Sequence, residues 1–152
     1  MSHFPDTSFL CALYRREMSS RHADTYMNKL EEGLNVSSLL LFEFRQSVRF
    51  QIRLHEKDRT KGYSREEGEK MLQDLQSDLG AGIIQSIPVD WAEVHYVAER
   101  LSKTYTIKEG FRFADILHVA TALHLGVKEF LTFDLHQKKL AYAEGLKVPF
   151  GL

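Results

Sequence analysis

Four carboxylates stand where a folded chain can put acids to use: Asp6 at the end of HFPD, Glu43 in LLLFEFRQ, Asp115 in RFADILHVATALHLG and Asp134 at the end of EFLTFD. Acids gathered into one pocket repel one another, and keeping them ionised takes a compensating cation. An all-oxygen donor set suits a hard divalent ion, Mg²⁺ or Mn²⁺, better than imidazole or thiolate does. Such an ion lowers the pKa of a bound water and neutralises charge growing on phosphate oxygens, and a pair of ions holds both the attacking and the leaving oxygen. The chemistry that follows is phosphodiester hydrolysis. Each acid taken singly also has an ordinary explanation, because a carboxylate in a first helical turn answers the positive end of the helix dipole. Asp115 fits that explanation least well. It opens a helix of alanine, valine, isoleucine and leucine, and a charge drawn inward with such a helix needs a partner or an ion.

The elements that must position these acids alternate along the chain. HFPD is short and extended, and SFLCALYR follows as a helix for which Ser8 is the cap. Two serines and a histidine interrupt before ADTYMNKLEEG, a helix stopped by Gly33. NVSS is extended, and Ser37 or Ser38 caps a long helix in which Phe44, Val48 and Ile52 recur at helical spacing. SREE at 64–67 has the capping-box spacing and opens a helix ended by Gly80 and Gly82. IIQSIPV reads as a buried strand, DWAE caps the helix WAEVHYVAERLSKTY, and Gly126 ends the helix that carries Asp115. EFLTFD is a strand, QKKLAYAEG a helix and KVPF a further short strand. Strands alternating with helices imply crossover units, hence an α/β domain with a parallel sheet sandwiched by helices. In such sheets ligands bind at the carboxyl ends of the strands, which is where Asp6, Glu43, Asp115 and Asp134 fall.

The chain of 152 residues suits a single domain, 1–152, able to bury roughly two-thirds of its unfolded surface without disulfides. Lys plus Arg (20) nearly balance Asp plus Glu (21), so any basic surface is local. The one cysteine, Cys11, has no partner for an intramolecular disulfide and reads as a small buried hydrophobe. No apolar run approaches the ~20 residues that span a bilayer, and MSHFPDTSFL lacks the basic and apolar regions of a signal peptide. The expectation is a cytoplasmic protein with no membrane partner.

PDTSFL at 5–10, VSSLLLFEFRQ at 36–46, FADILHVATAL at 113–123 and LTFD at 131–134 occur in an order that resembles the PIN-domain family, and within it the VapC-type toxins of toxin-antitoxin systems. The resemblance spans nearly the whole chain. It implies a three-layer α/β/α, Rossmann-like fold with a central parallel sheet, and an Mg²⁺- or Mn²⁺-dependent endoribonuclease. On these motifs the family's metal-binding acids fall on Asp6, Glu43, Asp115 and Asp134. The implied partners are RNA, a cognate antitoxin and a second copy of the chain. Two departures stand out. Ser2, His3 and Pro5 occupy a first strand that is usually aliphatic, and the charged segment 56–82 reads as a helical excursion from the single PIN-like domain.

Around the acids, Thr132 lies two residues before Asp134 and so points the same way on a strand, where its hydroxyl either holds a carboxylate or simply fills a β-branched position. Thr7 and Ser8 stand beside Asp6 in the same capacity. His118 lies one helical turn after Asp115 and reads as a core histidine rather than a ligand; His124 reads as solvated. Arg112, Lys138 and Lys139 are the candidates for RNA phosphates. Arg45, Arg49 and Arg53 form a stripe at four-residue spacing that is turned away from Glu43 on their shared helix and reads as a solvated or partner-facing surface. Other readings remain open: a PIN-like nuclease that is not a toxin, a binding or regulatory module that has kept its acids, and a DNA-directed nuclease. A phospho-acceptor domain fits less well, because PDTS offers one acid where that chemistry gathers an adjacent pair.

Overall fold

The computed structural model describes residues Met1–Gly151. They divide into two compact units, one formed by Met1–Phe9 with the described residues from Ile87 onward, the other by Leu10–Ser86.

In the first unit β1 (His3–Pro5) runs parallel to β4 (Glu129–Leu131), with His3 opposite Glu129 and Pro5 opposite Leu131. All three β1 residues are buried, despite the polar and proline content that set this stretch apart in the sequence. The pairing register explains the tolerance: Phe4 meets Phe130, both without solvent exposure, and the ladder continues through Asp6 N–H to Leu131 O at 3.1 Å. α5 (Trp91–Leu101) is capped by Asp90, whose carboxylate accepts from Glu93 N–H, and leads into a π-helical turn (Ser102–Thr106) and the short α6 (Ile107–Glu109). The helix expected over 91–105 therefore stays helical through Tyr105 and runs on to Glu109, with a π-helical turn inside it and its end at Gly110, φ 71°. α7 (Phe113–Leu125) packs on α5, β1 and α8 (Leu135–Ala143). Every residue from Asp115 to Ala122 is buried, because a helix apolar on all sides can be covered on all sides. Gly126 ends α7 at φ 70°, in the left-handed region where a side chain is strained.

In the second unit β2 (Leu34–Val36) runs parallel to β3 (Ile84–Ser86). α2 (Ser20–Lys29) precedes β2, and α3 (Ser38–Lys57) and α4 (Arg65–Gly80) lie between the two strands and pack on each other. Ser37 and Ser64 cap α3 and α4 by accepting from Leu40 and Glu67 N–H. Gly68 lets the two helices close up, since a Cβ there would stand 2.5 Å from Ile52 Cδ1. α1 (Thr7–Tyr14) begins in the first unit and ends in the second.

The α/β class and the parallel strands agree with the sequence reading. Several boundaries do not. α2 starts at Ser20 rather than Ala23, because Ser20 Oγ ties its own first turn to Ala12 O and Arg15 O. β3 keeps only Ile84 buried, so IIQSIPV is not the buried strand its isoleucines suggested. β4 stops at Leu131, and KVPF contributes only a bridge from Lys147 to Glu129. Cys11 is half-buried rather than enclosed.

Candidate active site

Asp6 is the centre of the polar structure in the first unit. It sits between β1 and α1, fully buried, and both of its carboxylate oxygens are occupied. Oδ1 accepts from Ser8 Oγ at 2.6 Å and from Phe9 N–H at 3.2 Å. Oδ2 accepts from Thr132 Oγ at 2.5 Å and from Gln137 Nε2 at 2.8 Å. Asp6, not Ser8, therefore caps α1, and Ser8 spends its proton on the acid instead of on the helix. Burial pushes the Asp6 carboxyl up to about 6, against the opposing pull of the Ser8 and Thr132 hydroxyls, the charge of buried His118 and the Phe9 N–H. Four donors thus compensate only part of what the loss of water costs the carboxylate.

Asp134 is tied to the same cluster. Thr132 Oγ, while donating to Asp6, accepts from Asp134 N–H at 3.0 Å. Asp134 Oδ1 caps α8, accepting from His136 N–H at 2.8 Å and Gln137 N–H at 3.0 Å. Thr132 is wholly buried and lies beyond the end of β4, so a hydrogen bond rather than strand alternation fixes its direction. Gln137 was not anticipated. D-L-H-Q has the capping-box spacing, in which a glutamine three residues into a helix turns back to the N-cap N–H. That N–H is already taken by Thr132, which releases the Gln137 amide to Asp6, and its buried Oε1 has no hydrogen-bond partner. Phe9, Phe133 and Phe150 stack beside the cluster, with centroids 5.9 Å apart for Phe9–Phe133 and 4.5 Å for Phe133–Phe150.

Asp115 lies in the first turn of α7, 6% exposed, with the open Arg112 guanidinium 3.5 Å from Oδ2. Its neighbour one turn on, His118, is fully buried and interacts electrostatically with Asp6, as a core histidine rather than a solvent-facing one; His124 is exposed. Glu43 lies in the second unit, partly buried on α3. Thr7 opens α1 and is half-buried. All three basic candidates are engaged: Arg112, itself largely exposed, pairs with Asp115, Lys139 pairs with Glu109 at 2.8 Å, and Lys138 reaches Phe150 O at 3.3 Å and lies over the Tyr142 ring. A cavity of about 450 Å³ lined by His95, Glu99, Phe111, Phe113 and Ile116, among others, contains none of the four acids.

The donors around Asp6 and Asp134 fit a hard cation in kind: carboxylates, hydroxyls and an unpartnered amide oxygen. Among the described residues no three His, Cys, Asp or Glu side chains are gathered closely enough to hold an ion as they stand. An ion at Asp6 would therefore have to displace neutral donors from its carboxylate.

The sequence profile of the PIN domain matches residues 3–142. The chain belongs to the PIN domain family. Solved structures similar to this PIN domain share its fold over nearly their full lengths. Mycobacterium tuberculosis VapC20, described as a sarcin-ricin loop cleaving toxin, aligns at a TM-score of 0.67 with 17% identity over 97% of this chain and 98% of its own. VapBC2 from Rickettsia felis, bound to a DNA fragment from its promoter, aligns at 0.66 with 15% identity over 97% of each chain. PAE2754 from Pyrobaculum aerophilum aligns at 0.60 with 18% identity over 97% of this chain and 89% of its own. No curated protein sequence matches the chain significantly. Among the described residues no helix is long and apolar enough to cross a membrane.

Proposed function

We propose that this PIN domain is an Mg²⁺- or Mn²⁺-dependent endoribonuclease, the toxin of a toxin-antitoxin pair acting in the cytoplasm. The observation that carries the reading is the buried Asp6 carboxylate, oriented through Ser8, Thr132 and Gln137 and linked by Thr132 to Asp134. A carboxylate kept this far from water gains from a cation more than a solvated one does. Asp6, Asp115, Asp134 and Glu43 are the acids that would hold the ion, which when bound activates water and offsets charge on the phosphate. Thr132 and Ser8 fix the direction of Asp6, with Thr7 beside them, and Arg112, Lys138 and Lys139 would meet phosphates by exchanging their present partners Asp115, Phe150 O and Glu109 for the substrate. The VapC20 and VapBC2 likenesses support RNA as substrate and an antitoxin as partner, and association with a second copy belongs to the same reading. The residues act as one PIN-like domain over 1–152, with the segment 56–82 as a helical addition.

A second reading has its own observation. The neutral donors that fill both oxygens of Asp6, together with the absence of a three-acid set among the described residues, favour a PIN domain that binds or regulates without cutting. Purified chain, freed of any partner, is incubated with RNA and with DNA in Mg²⁺, Mn²⁺ or chelator. Metal-dependent scission of RNA supports the first reading. Intact RNA together with unaltered metal-free stability on adding either ion supports the second.

A further inference from the structure

We propose that the exposed face of α3, carrying Phe42, Arg49, Phe50, Arg53 and Lys57, is a docking surface for single-stranded RNA. The inference rests on the ribonuclease reading for its substrate class and adds the place where the strand is gripped.

α3 buries Leu40, Leu41, Phe44, Val48 and Ile52 along one side. At 100° per residue Phe42, Arg49 and Arg53 fall within about 20° of a single line on the other side, with Lys57 and Phe50 about 60° and 80° from Phe42. Phe42 is 63% and Phe50 52% exposed, and Arg49, Arg53 and Lys57 are exposed beside them.

The arginines here differ from the rest. Of the ten in the chain, Arg15, Arg16, Arg65, Arg100 and Arg112 each stand within ion-pair distance of a carboxylate. Among the described residues the other five, Arg21 on α2, Arg45, Arg49 and Arg53 on α3, and Arg59 just after it, pair with none, and only on α3 do they form a row. The neighbouring α4 carries five carboxylates: Glu67 goes to Arg15, Asp74 to Lys70 and Asp78 to the Tyr14 hydroxyl, and among the described residues neither Glu66 nor Glu69 pairs with the row. Like charges at four-residue spacing repel along a helix, so Arg45, Arg49, Arg53 and Lys57 in succession weaken α3 unless an anion lies over them.

A shallow cavity of about 280 Å³ opens among Arg49, Ile52, Arg53, Glu56, Lys57 and Arg65. Its one acid, Glu56, is engaged by Arg65 at 2.6 Å, which leaves the cavity positive. Successive arginines four residues apart rise about 6 Å, on the order of one nucleotide's backbone step. Guanidinium groups match phosphate geometry, and exposed phenyl faces accept unstacked bases, the pairing by which single strands are held. An acidic peptide would answer the arginines alone, and an apolar protein surface the phenylalanines alone; a single strand answers both.

The test measures binding separately from cleavage. The chain in chelator, where metal-dependent scission is off, is titrated into a fluorescein-labelled single-stranded RNA of about 20 nucleotides, longer than the ~16-nucleotide upper site size of single-strand modules. R49A/R53A is expected to lower affinity tenfold or more near 0.1 M salt and to reduce the slope of log affinity against log salt by about 1.4, two phosphate contacts at about 0.7 each. F42A/F50A is expected to lower affinity about fivefold or more with the slope unchanged. Thermal melts of the four exposed positions should match the parent, so a loss of binding is not a loss of fold. Affinities of both double variants equal to the parent overturn the proposal, as does a parent that binds no RNA, or variants that lose self-association or antitoxin binding while keeping RNA. Binding that depends on these residues in a chain that cuts nothing leaves this inference standing and removes the nuclease reading; cleavage and binding that both ignore them do the reverse.

Discussion

Asp6 and the arginine row of α3 hold charge at opposite extremes of solvation. Asp6 has no exposed surface, four hydrogen-bond donors and a carboxyl pushed up to about 6; Arg49 and Arg53 lie open to water with no carboxylate partner among the described residues. The difference teaches what each charge can do. A buried carboxylate costs folding energy, so each of its partners is fixed in place and its loss is felt locally. An exposed arginine costs little, acts through screened fields, and matters chiefly when a polyanion arrives.

The comparison breaks most severely if the pocket around Asp6 is opened. Phe9 is fully buried, stacks with Phe133 and Phe150, and supplies one of the N–H groups on Asp6. Phe9→Ala is expected to cost about 3 to 5 kcal/mol of unfolding free energy in a denaturant titration. A cost near zero would mean the pocket is not walled as described.

Next in size is the pH dependence of Asp6 itself. Its folded value of about 6 lies above the ordinary 3.8, so its contribution to stability is fully present below 3.8 and is lost as pH rises through 6. In chelator the parent should lose about 2.5 kcal/mol from this group between pH 4 and pH 8, a loss that Asp6→Asn, which cannot ionise, should not show. The stability difference between the two chains must therefore move in favour of Asp6→Asn with rising pH. A difference independent of pH contradicts the burial argument.

Thr132→Val sharpens the picture at smaller amplitude. It removes a donor to Asp6 and the acceptor for Asp134 N–H while keeping shape, so about 1 to 3 kcal/mol of stability should be lost. The smallest effect belongs to the open surface: R49A/R53A should change stability by less than about 0.5 kcal/mol, with any gain fading at high salt as the relieved repulsion is screened.

The parts of the fold legible from sequence were those decided by neighbours in the chain. Ser37, Ser64 and Asp90 cap the helices they precede because a cap is a hydrogen bond two or three residues long. FADILHVATAL announced a buried helix because it is apolar on every side. What the sequence concealed was decided at a distance. β1 is secured by Phe130 and Leu131, some 126 residues on, which no local polarity reveals. Asp6 itself caps α1 through Phe9 N–H, which leaves Ser8 as its partner, and Thr132 takes Asp134 N–H, which turns Gln137 from a capping-box residue into a donor to the same carboxylate. Lys138 and Lys139 looked available and are engaged, because their partners Phe150 and Glu109 lie on other segments. The four acids were legible as a set only through the order of their motifs; Asp6 and Asp134 share partners in the structure, Asp115 stands on α7 and Glu43 in the second unit.

The central claim is that Asp6 serves metal-dependent scission of RNA, and it is tested most directly by following a labelled RNA with parent and Asp6→Asn chains in Mg²⁺ or Mn²⁺, each freed of any partner and shown by melting to be folded. The expected result is cleavage by the parent that stops in chelator and falls by about a hundredfold to a thousandfold or more in Asp6→Asn, the scale at which a single preorganised electrostatic group acts. Equal cleavage by both chains, or cleavage by the parent that survives chelation, would contradict it.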